Sequence, residues 1–284
     1  MPSSSEPQVL IPRDAPPAPR HGAQRDSWWE SFRIQQRVIG ALLMREILTR
    51  YGRHNIGFLW LFVEPMIFTV LIALIWEQIR TRHLESISVL AFAVTGYSTV
   101  LLWRNMPNRC MTAVEPNLSL MFHRPVKMID VYLSRVLLEA AGGTMAFVFL
   151  ILIFILFGTM SPPVDPLQVT IGWFMLAWFG LGLALTVGPL TELSPLVEKI
   201  WQPISYISFI FSGAIFLVDM LPPTAQKLML WVPMVSGVEY LREGYFGPVL
   251  KFHYDMFYLT VWNLGLTLFG LAQVRHISRR PAHG

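Results

Sequence analysis

A single cysteine, Cys110, gives the chain no partner for an internal disulfide and no second thiolate for a cysteine-built zinc or iron–sulfur site, so the redox compartment is left open. Charge is scarce too. Asp, Glu, Lys and Arg form 14% of the 284 residues, against about a quarter in an ordinary soluble domain. No G-x-x-x-x-G-K-[ST] loop is present to cradle a triphosphate, and no G-x-S-x-G, H-E-x-x-H or paired-cysteine motif occurs. The seven histidines, His21, His54, His83, His123, His253, His276 and His283, include no pair at the i, i+4 spacing that sets two ligands on one helical face. Catalytic residues and a metal site are therefore not expected. The net charge of +4 comes without a basic stretch interleaved with aromatics in a folded polar domain, which disfavours nucleic acid as a partner.

What is abundant is apolar length. Mean hydropathy is +0.48, and the 19 Gly, 21 Pro and 10 Trp suit membrane helices, which tolerate Gly and Pro and gather Trp at the headgroup level. The sequence predicts an all-α integral membrane protein. Residues 1–27, rich in Pro and Ser and lacking an apolar core for a signal peptide, read as a disordered cytoplasmic tail and not as a targeting sequence. Residues 28–57 follow as an amphipathic interface helix, with Trp28, Phe32, Ile39, Leu42, Leu43 and Ile47 on one side and Arg33, Arg37 and Arg45 on the other. Gln36, Glu46, Met44 and Leu48 depart from that pattern.

The transmembrane domain, 58–275, carries six apolar runs near the ~20 residues needed to cross a bilayer. They lie at about 58–79, 87–106, 136–157, 167–190, 201–218 and 256–274. An inside N-terminus puts 17 of the 22 Lys and Arg on the inner side, so both termini are expected in the cytoplasm, the second in a short tail, 276–284. A long inner segment runs from Pro107 to Arg135. A long outer segment, 219–255, is too apolar for an ordinary loop and is cut by prolines into pieces too short to span. Two short re-entrant periplasmic helices are predicted there before the last span, the second opened by a Ser236-x-x-Glu239 capping box and closed near Gly244 to Gly247.

Intramembrane charges are functional suspects because their burial is costly. Glu77 falls near an outer end where headgroups solvate it; Arg104 either snorkels to the inner surface or lines a path. Glu139 has Arg135 one turn earlier as a partner. Glu64, beside the helix-interrupting Pro65, either makes a structural hydrogen bond or takes part in coupling. No chain of carboxylates and histidines supports a proton relay. Trp60, Trp76, Trp103, Trp173, Trp178, Trp201 and Trp231 read as an interfacial belt, or in part as flat faces for sugar rings.

The run from Met44 to Trp60, Met-Arg-Glu-Ile-Leu-Thr-Arg-Tyr-Gly-Arg-His-Asn-Ile-Gly-Phe-Leu-Trp, continuing to Glu64-Pro65, closely resembles the N-terminal signature of the membrane subunits of bacterial polysaccharide ABC exporters, above all the capsular-polysaccharide branch. Length, span number and the placing of the two long segments agree with that resemblance over nearly the whole chain. The tail before Ser27 is longer than the family leads one to expect.

The resemblance implies a type-2 ABC exporter permease in the bacterial inner membrane: a homodimer docking two copies of a cytoplasmic ABC ATPase. This chain would bind no cofactor, ATP and Mg belonging to the partner ATPase. The cargo implied is a lipid-linked acidic polysaccharide, and the further partners are a periplasmic adaptor of the polysaccharide co-polymerase type and an outer-membrane export protein. By position, Glu115, Pro116, Asn117, Leu118, Met121, Phe122, His123, Arg124 and Lys127 match the ATPase-coupling segment, with the turn at Thr191 to Lys199 as a second inner contact. Arg50, Arg53, His54, Asn55, Trp60 and Glu64 match a substrate entrance, where Arg50 and Arg53 equally serve as positive-inside anchors. Trp231, Ser236, Glu239, Tyr240, Arg242 and Tyr245 match a periplasmic gate. Export of O-antigen or teichoic acid is the alternative within the family, and a membrane-embedded glycan-modifying transferase is the alternative outside it.

Overall fold

The computed structural model describes residues 28–51, 63, 66, 67, 69–71, 74, 75, 88–123 and 126–279. Among them there are helices and no strands: α1 (Trp28–Tyr51), α2 (Val89–Cys110), a 3-10 turn (Glu115–Asn117), α3 (Leu118–His123), α4 (Met128–Leu156), α5 (Pro166–Leu193), α6 (Leu196–Ile210), a second 3-10 turn (Val218–Met220), α7 (Pro223–Met229), α8 (Pro233–Phe246) and α9 (Met256–Ser278). Three of these, α4, α5 and α9, are long and apolar enough to cross a membrane. The expected tail 1–27 and most of the expected first span, 58–79, lie outside the described residues.

Helix boundaries follow local chemistry that hydropathy does not register. At one end of the bundle α2, α5 and α9 begin on polar caps: Ser88 Oγ accepts from Ala91 N at 3.3 Å, Asp165 Oδ1 from Leu167 N and Gln168 N at 3.0 Å each, and Asp255 Oδ1 from Tyr258 N at 2.9 Å. Pro166 sits at the first turn of α5, where a missing N–H costs nothing. At the other end α4 begins eight residues before the predicted 136, because Asp130 Oδ2 accepts from Lys127 N at 3.0 Å and fixes the first turn. With α2 running to Cys110, the predicted inner segment shrinks to residues 111–127. The last helix likewise continues to Ser278, past the predicted 274 and into the expected tail.

The fifth predicted span, 201–218, needs a larger correction. Helix α6 starts at Leu196 and stops at Ile210 after 15 residues, a rise of about 22 Å. Beyond it the chain turns through Gly213, whose φ of +80° suits a residue without a Cβ. Residues 219–255 do form two short helices, α7 and α8, but the predicted capping box is absent. Helix α8 begins at Pro233, with Val232 as its cap residue, so Ser236 and Glu239 lie inside the helix and their side chains serve other segments. Its end falls as predicted, with Gly247 at φ +70° just past Phe246.

Helix α5 is the hub, packing against α9, α2 and α8. Small residues make the close approaches possible: a Cβ on Gly270 would stand 2.6 Å from Leu185 Cβ. Polar ties supplement them. Trp173 stacks on Phe147 with centroids 4.3 Å apart and donates to Thr144 Oγ1 at 2.9 Å. Trp178 donates to Thr267 Oγ1 at 3.0 Å, and the buried Asn263 to Met175 O at 3.0 Å. Trp103 and Trp173 are thus core residues and not members of an exposed belt.

Candidate functional site

Two clusters of polar side chains stand at opposite ends of this bundle. The first gathers the end of α2, the start of α4 and the helix α1, which packs along α4. Leu42 of α1 is buried, Val38 packs against the core, and Ile39, Leu43 and Ile47 are half-buried, while Phe32, on the predicted apolar side, is exposed. Gln35 Nε2 donates to Asp130 Oδ1 at 2.9 Å, joining α1 to the capped first turn of α4.

Six residues before the end of α1, Arg45 reaches the 3-10 turn. Its Nη1 donates to Asn117 Oδ1 at 2.5 Å and its Nη2 to Pro116 O at 3.1 Å. Asn117 is buried and in turn donates to Ala113 O at 2.8 Å, so this side chain joins α1 to the segment that follows α2. Beside Arg45, Glu46 Oε1 lies 3.4 Å from Arg135 Nε of α4. Arg135 Nη1 also donates to Arg109 O at 2.6 Å and to Thr112 Oγ1 at 3.2 Å, covering carbonyl oxygen left open at the end of α2. Arg109 returns the link with Nε 3.4 Å from Glu139 Oε1. Both of these ion pairs, Glu46 with Arg135 and Arg109 with Glu139, run between helices.

Around that junction the predicted coupling residues divide by exposure. Glu115, Pro116, Leu118 and Lys127 are exposed, Met121 is half-buried and Asn117 is buried. Phe122 and His123 belong to α3 but their side chains, like Arg124, lie outside the described residues. Sequence reasoning missed Arg45, Glu46, Arg109 and Arg135 as members of this cluster. Thr191 Oγ1 donates to Met111 O at 3.0 Å, and Trp201 Nε1 to Asn108 Oδ1 at 2.7 Å, so the turn between α5 and α6 is tied to the same junction. Arg104, further along α2, holds its guanidinium 5.3 Å from the Tyr206 ring of α6.

The predicted entrance residues Arg53, His54, Asn55, Trp60 and Glu64 lie outside the described residues, as does the Arg50 side chain.

At the opposite end α8 is buried between α5 and α9 and holds most of the predicted gate residues. Arg242 is fully buried. Its Nη1 donates to Gly213 O and Phe216 O at 2.5 and 3.0 Å, and its Nη2 to Ala214 O and Phe92 O at 2.6 and 3.2 Å. Glu239, one turn earlier, accepts from Val218 N at 3.3 Å and His253 N at 3.2 Å. Ser236 Oγ accepts from Asp255 N at 3.1 Å and Tyr245 donates to Ser161 O at 2.7 Å. Tyr240 meets Tyr254 edge-on at 5.1 Å, and Tyr254 donates to Glu243 Oε2 at 2.6 Å, a bond that pushes its phenol up to about 12. Trp231 stands apart, 74% exposed.

Glu239 and Arg242 of α8 are therefore spent on backbone atoms, most of them in irregular chain, while Glu243 accepts from Gln168 Nε2 and Tyr254 OH at 2.7 and 2.6 Å, and the cluster is a lock rather than a reaction centre. No group of His, Cys, Asp and Glu among the described residues is arranged to hold a metal ion.

Residues 37–246 match the family model described as ABC-2 type transporter. The chain is 42% identical over 255 residues to the capsule polysaccharide export inner-membrane protein CtrC of Neisseria meningitidis serogroup B, covering 90% of this chain and 96% of that one. It is 41% identical over 250 residues to the capsule polysaccharide export inner-membrane protein BexB of Haemophilus influenzae, covering 88% and 94%. It is 28% identical over 244 residues to the polysialic acid transport protein KpsM of Escherichia coli, covering 86% and 95%.

Proposed function

The chain belongs to the ABC-2 type transporter membrane family, and from that premise we propose that it is the permease of an ATP-driven exporter moving lipid-linked capsular polysaccharide across the bacterial inner membrane. The observation that carries this reading is the likeness, at 42% identity over 90% of the chain, to a capsule polysaccharide export inner-membrane protein. The cluster of α1, α2, the Glu115–His123 segment and α4 supports it, since a short surface element held by α1, which is itself tied to α4, suits transmission of force from a partner.

In this reading two copies of the chain dock two copies of a P-loop ATPase, which holds ATP and Mg, while this chain binds neither. The exposed Glu115, Pro116 and Leu118, with Met121, Phe122, His123, Arg124 and Lys127, form the ATPase contact. Six spans cross the membrane with both termini in the cytoplasm, α1 lies along the inner surface, and α7 and α8 re-enter from the periplasmic side as the gate. Arg50, Arg53, His54, Asn55, Trp60 and Glu64 line the entrance for the acidic glycan, and a periplasmic adaptor and an outer-membrane export protein continue the route. Cationic and hydrogen-bonding groups at the entrance raise the local concentration of an anionic polymer.

The test is ATP hydrolysis by this chain co-purified in lipid with the P-loop subunit, with and without the matching lipid-linked glycan. Stable association with glycan-stimulated turnover is expected. Stimulation by an O-antigen or teichoic acid in place of capsule would move the substrate within the family. Chemical alteration of the glycan by this chain alone, with no ATPase bound, would replace the exporter by a transferase.

A further inference from the structure

Arg45 and Glu46 are consecutive on α1 and face two different bodies. Arg45 holds the turn Glu115–Asn117 through the Asn117 side chain and the Pro116 carbonyl, at 2.5 and 3.1 Å. Glu46 holds Arg135 of α4 at 3.4 Å, in surroundings where both side chains are largely shielded, 16% and 8% exposed. Arg135 in turn holds the end of α2 through Arg109 O at 2.6 Å. An unbroken series of charge-assisted contacts thus leads from the exposed Glu115–Asn117 turn through one turn of α1 to the ends of α2 and α4. Apart from the chain between Cys110 and Glu115, no other described polar side-chain contact holds that turn to the bundle so directly: Asn117 donates only to Ala113 O, within the same short segment.

From this geometry we infer that Arg45 and Glu46 are positioning residues that make α1 a strut between the coupling turn and the membrane helices. The inference rests on the exporter reading, in which Glu115–His123 touches the ATPase. A bidentate guanidinium fixes direction as well as distance, so a displacement of the turn is passed to α1 without slack. Glu46 and Arg135 carry the same displacement sideways into α2 and α4. Arg45 acts through the Glu115–Asn117 turn, and its loss acts on coupling.

The experiment uses the full chain assembled with its P-loop subunit in lipid vesicles, reading basal ATP hydrolysis and its stimulation by the lipid-linked capsular glycan. Arg45→Gln is expected to assemble and hydrolyse ATP, with stimulation lowered by about fivefold or more, the lower end of a typical coupling free energy. Arg45→Lys, which keeps one donor, is expected to retain part of the stimulation. Asn117→Leu added to Arg45→Gln is expected to cause little further loss, because both remove one contact. Full stimulation in Arg45→Gln, or independent losses in the pair, would overturn the strut.

A second measurement guards against simple loss of structure. Arg45→Cys with Asn117→Cys is expected to be poorly stimulated until a short bifunctional methanethiosulfonate joins the two positions, and to recover afterwards; Cys110 is fully buried and does not compete. Arrest on linking would show that α1 and the turn must separate, and would overturn the inference. Failure of the unaltered chain to bind any P-loop subunit would instead remove the exporter reading itself.

Discussion

The guanidinium carbon of Arg242 on α8 lies 3.6 Å from the centroid of the Phe92 ring on α2. Stacked there, the group donates to four carbonyl oxygens, three of them on residues 213–216, where α6 has already ended. Buried irregular backbone needs partners for its polar groups, and Arg242 supplies donors to the carbonyls of Gly213, Ala214 and Phe216. The stop of α6 at Ile210 and the burial of Arg242 are two sides of one arrangement.

Replacing Arg242 by Met should therefore leave buried carbonyls without donors and destabilise the folded chain by about 3 to 5 kcal/mol, the range for breaking a buried charged contact. Arg242→Lys keeps a charge but reaches fewer of the four acceptors, and should fall between Met and the native residue. Thermal unfolding of the purified chain in detergent checks the order. Equal stability of the Met variant and the native chain would contradict the lock.

Gly96 on α2 is part of the same arrangement, since a Cβ there would meet Ala214 O at 2.5 Å and also the Arg242 guanidinium. Gly96→Ala should destabilise by about 1 to 3 kcal/mol, as overpacking does. Gly143 on α4 offers the comparison, its nearest neighbour being Leu102 Cδ1 at 3.5 Å. Gly143→Ala should be neutral or stabilising by up to ~1 kcal/mol through helix propensity. The difference between the two melting temperatures is the measurement, and the same response at both glycines would remove the steric explanation.

The existence of α4, α5 and α9 was legible from apolar length alone, because a run of ~20 apolar residues has one economical use. The two short helices after residue 218 were legible from prolines in an apolar stretch, whereas the start of α8 was not: Pro233 at the first turn outweighed the Ser236-x-x-Glu239 pattern. The 201–218 span was overdrawn because the side chain that ends α6 comes from Arg242, 29 residues past Gly213. Hydropathy carries no trace of such a contact. Arg45 escaped the candidate list for a similar reason, its partner Asn117 standing 72 residues away. A signal was nonetheless present: Arg135 and Glu139 begin an apolar run, and buried charges there require partners from outside their own helix as well as within it.

The Glu115–Asn117 turn should tolerate exchange at its exposed position better than at its buried one. Glu115→Ala removes a solvent-facing carboxylate and leaves Arg45 with both its acceptors, so unfolding should shift by less than about 0.5 kcal/mol. Asn117→Leu removes the acceptor of Arg45 and the donor to Ala113 O, and should cost about 1 to 3 kcal/mol. Under the exporter reading Glu115→Ala should weaken ATPase association measured by co-purification despite its small effect on stability. A variant that melts normally and still binds the ATPase normally would take Glu115 out of the contact.

Helix α6 has only Ser205 among its buried residues, so its attachment depends on few contacts. Toward the end that holds Arg109 and Arg135, Trp201 Nε1 donates to Asn108 Oδ1 at 2.7 Å; further along, Tyr206 lies by Arg104 and Phe209 meets Tyr97 edge-on at 5.9 Å. Trp201→Phe keeps much of the aromatic area and removes the donor, which should cost about 1 kcal/mol and leave the Asn108 carbonyl oxygen unpaired. Asn108→Leu should cost a similar amount by leaving the indole N–H unpaired. The double variant removes donor and acceptor together, so its loss should be smaller than the sum of the single losses, by about 0.5 to 3 kcal/mol of coupling. Thermal unfolding of the four proteins closes the cycle, and faster hydrogen exchange confined to the Leu196–Ile210 amides should accompany each single substitution. Strictly additive losses would mean that α6 is held at this end by its apolar packing and that the Trp201–Asn108 bond adds no stability.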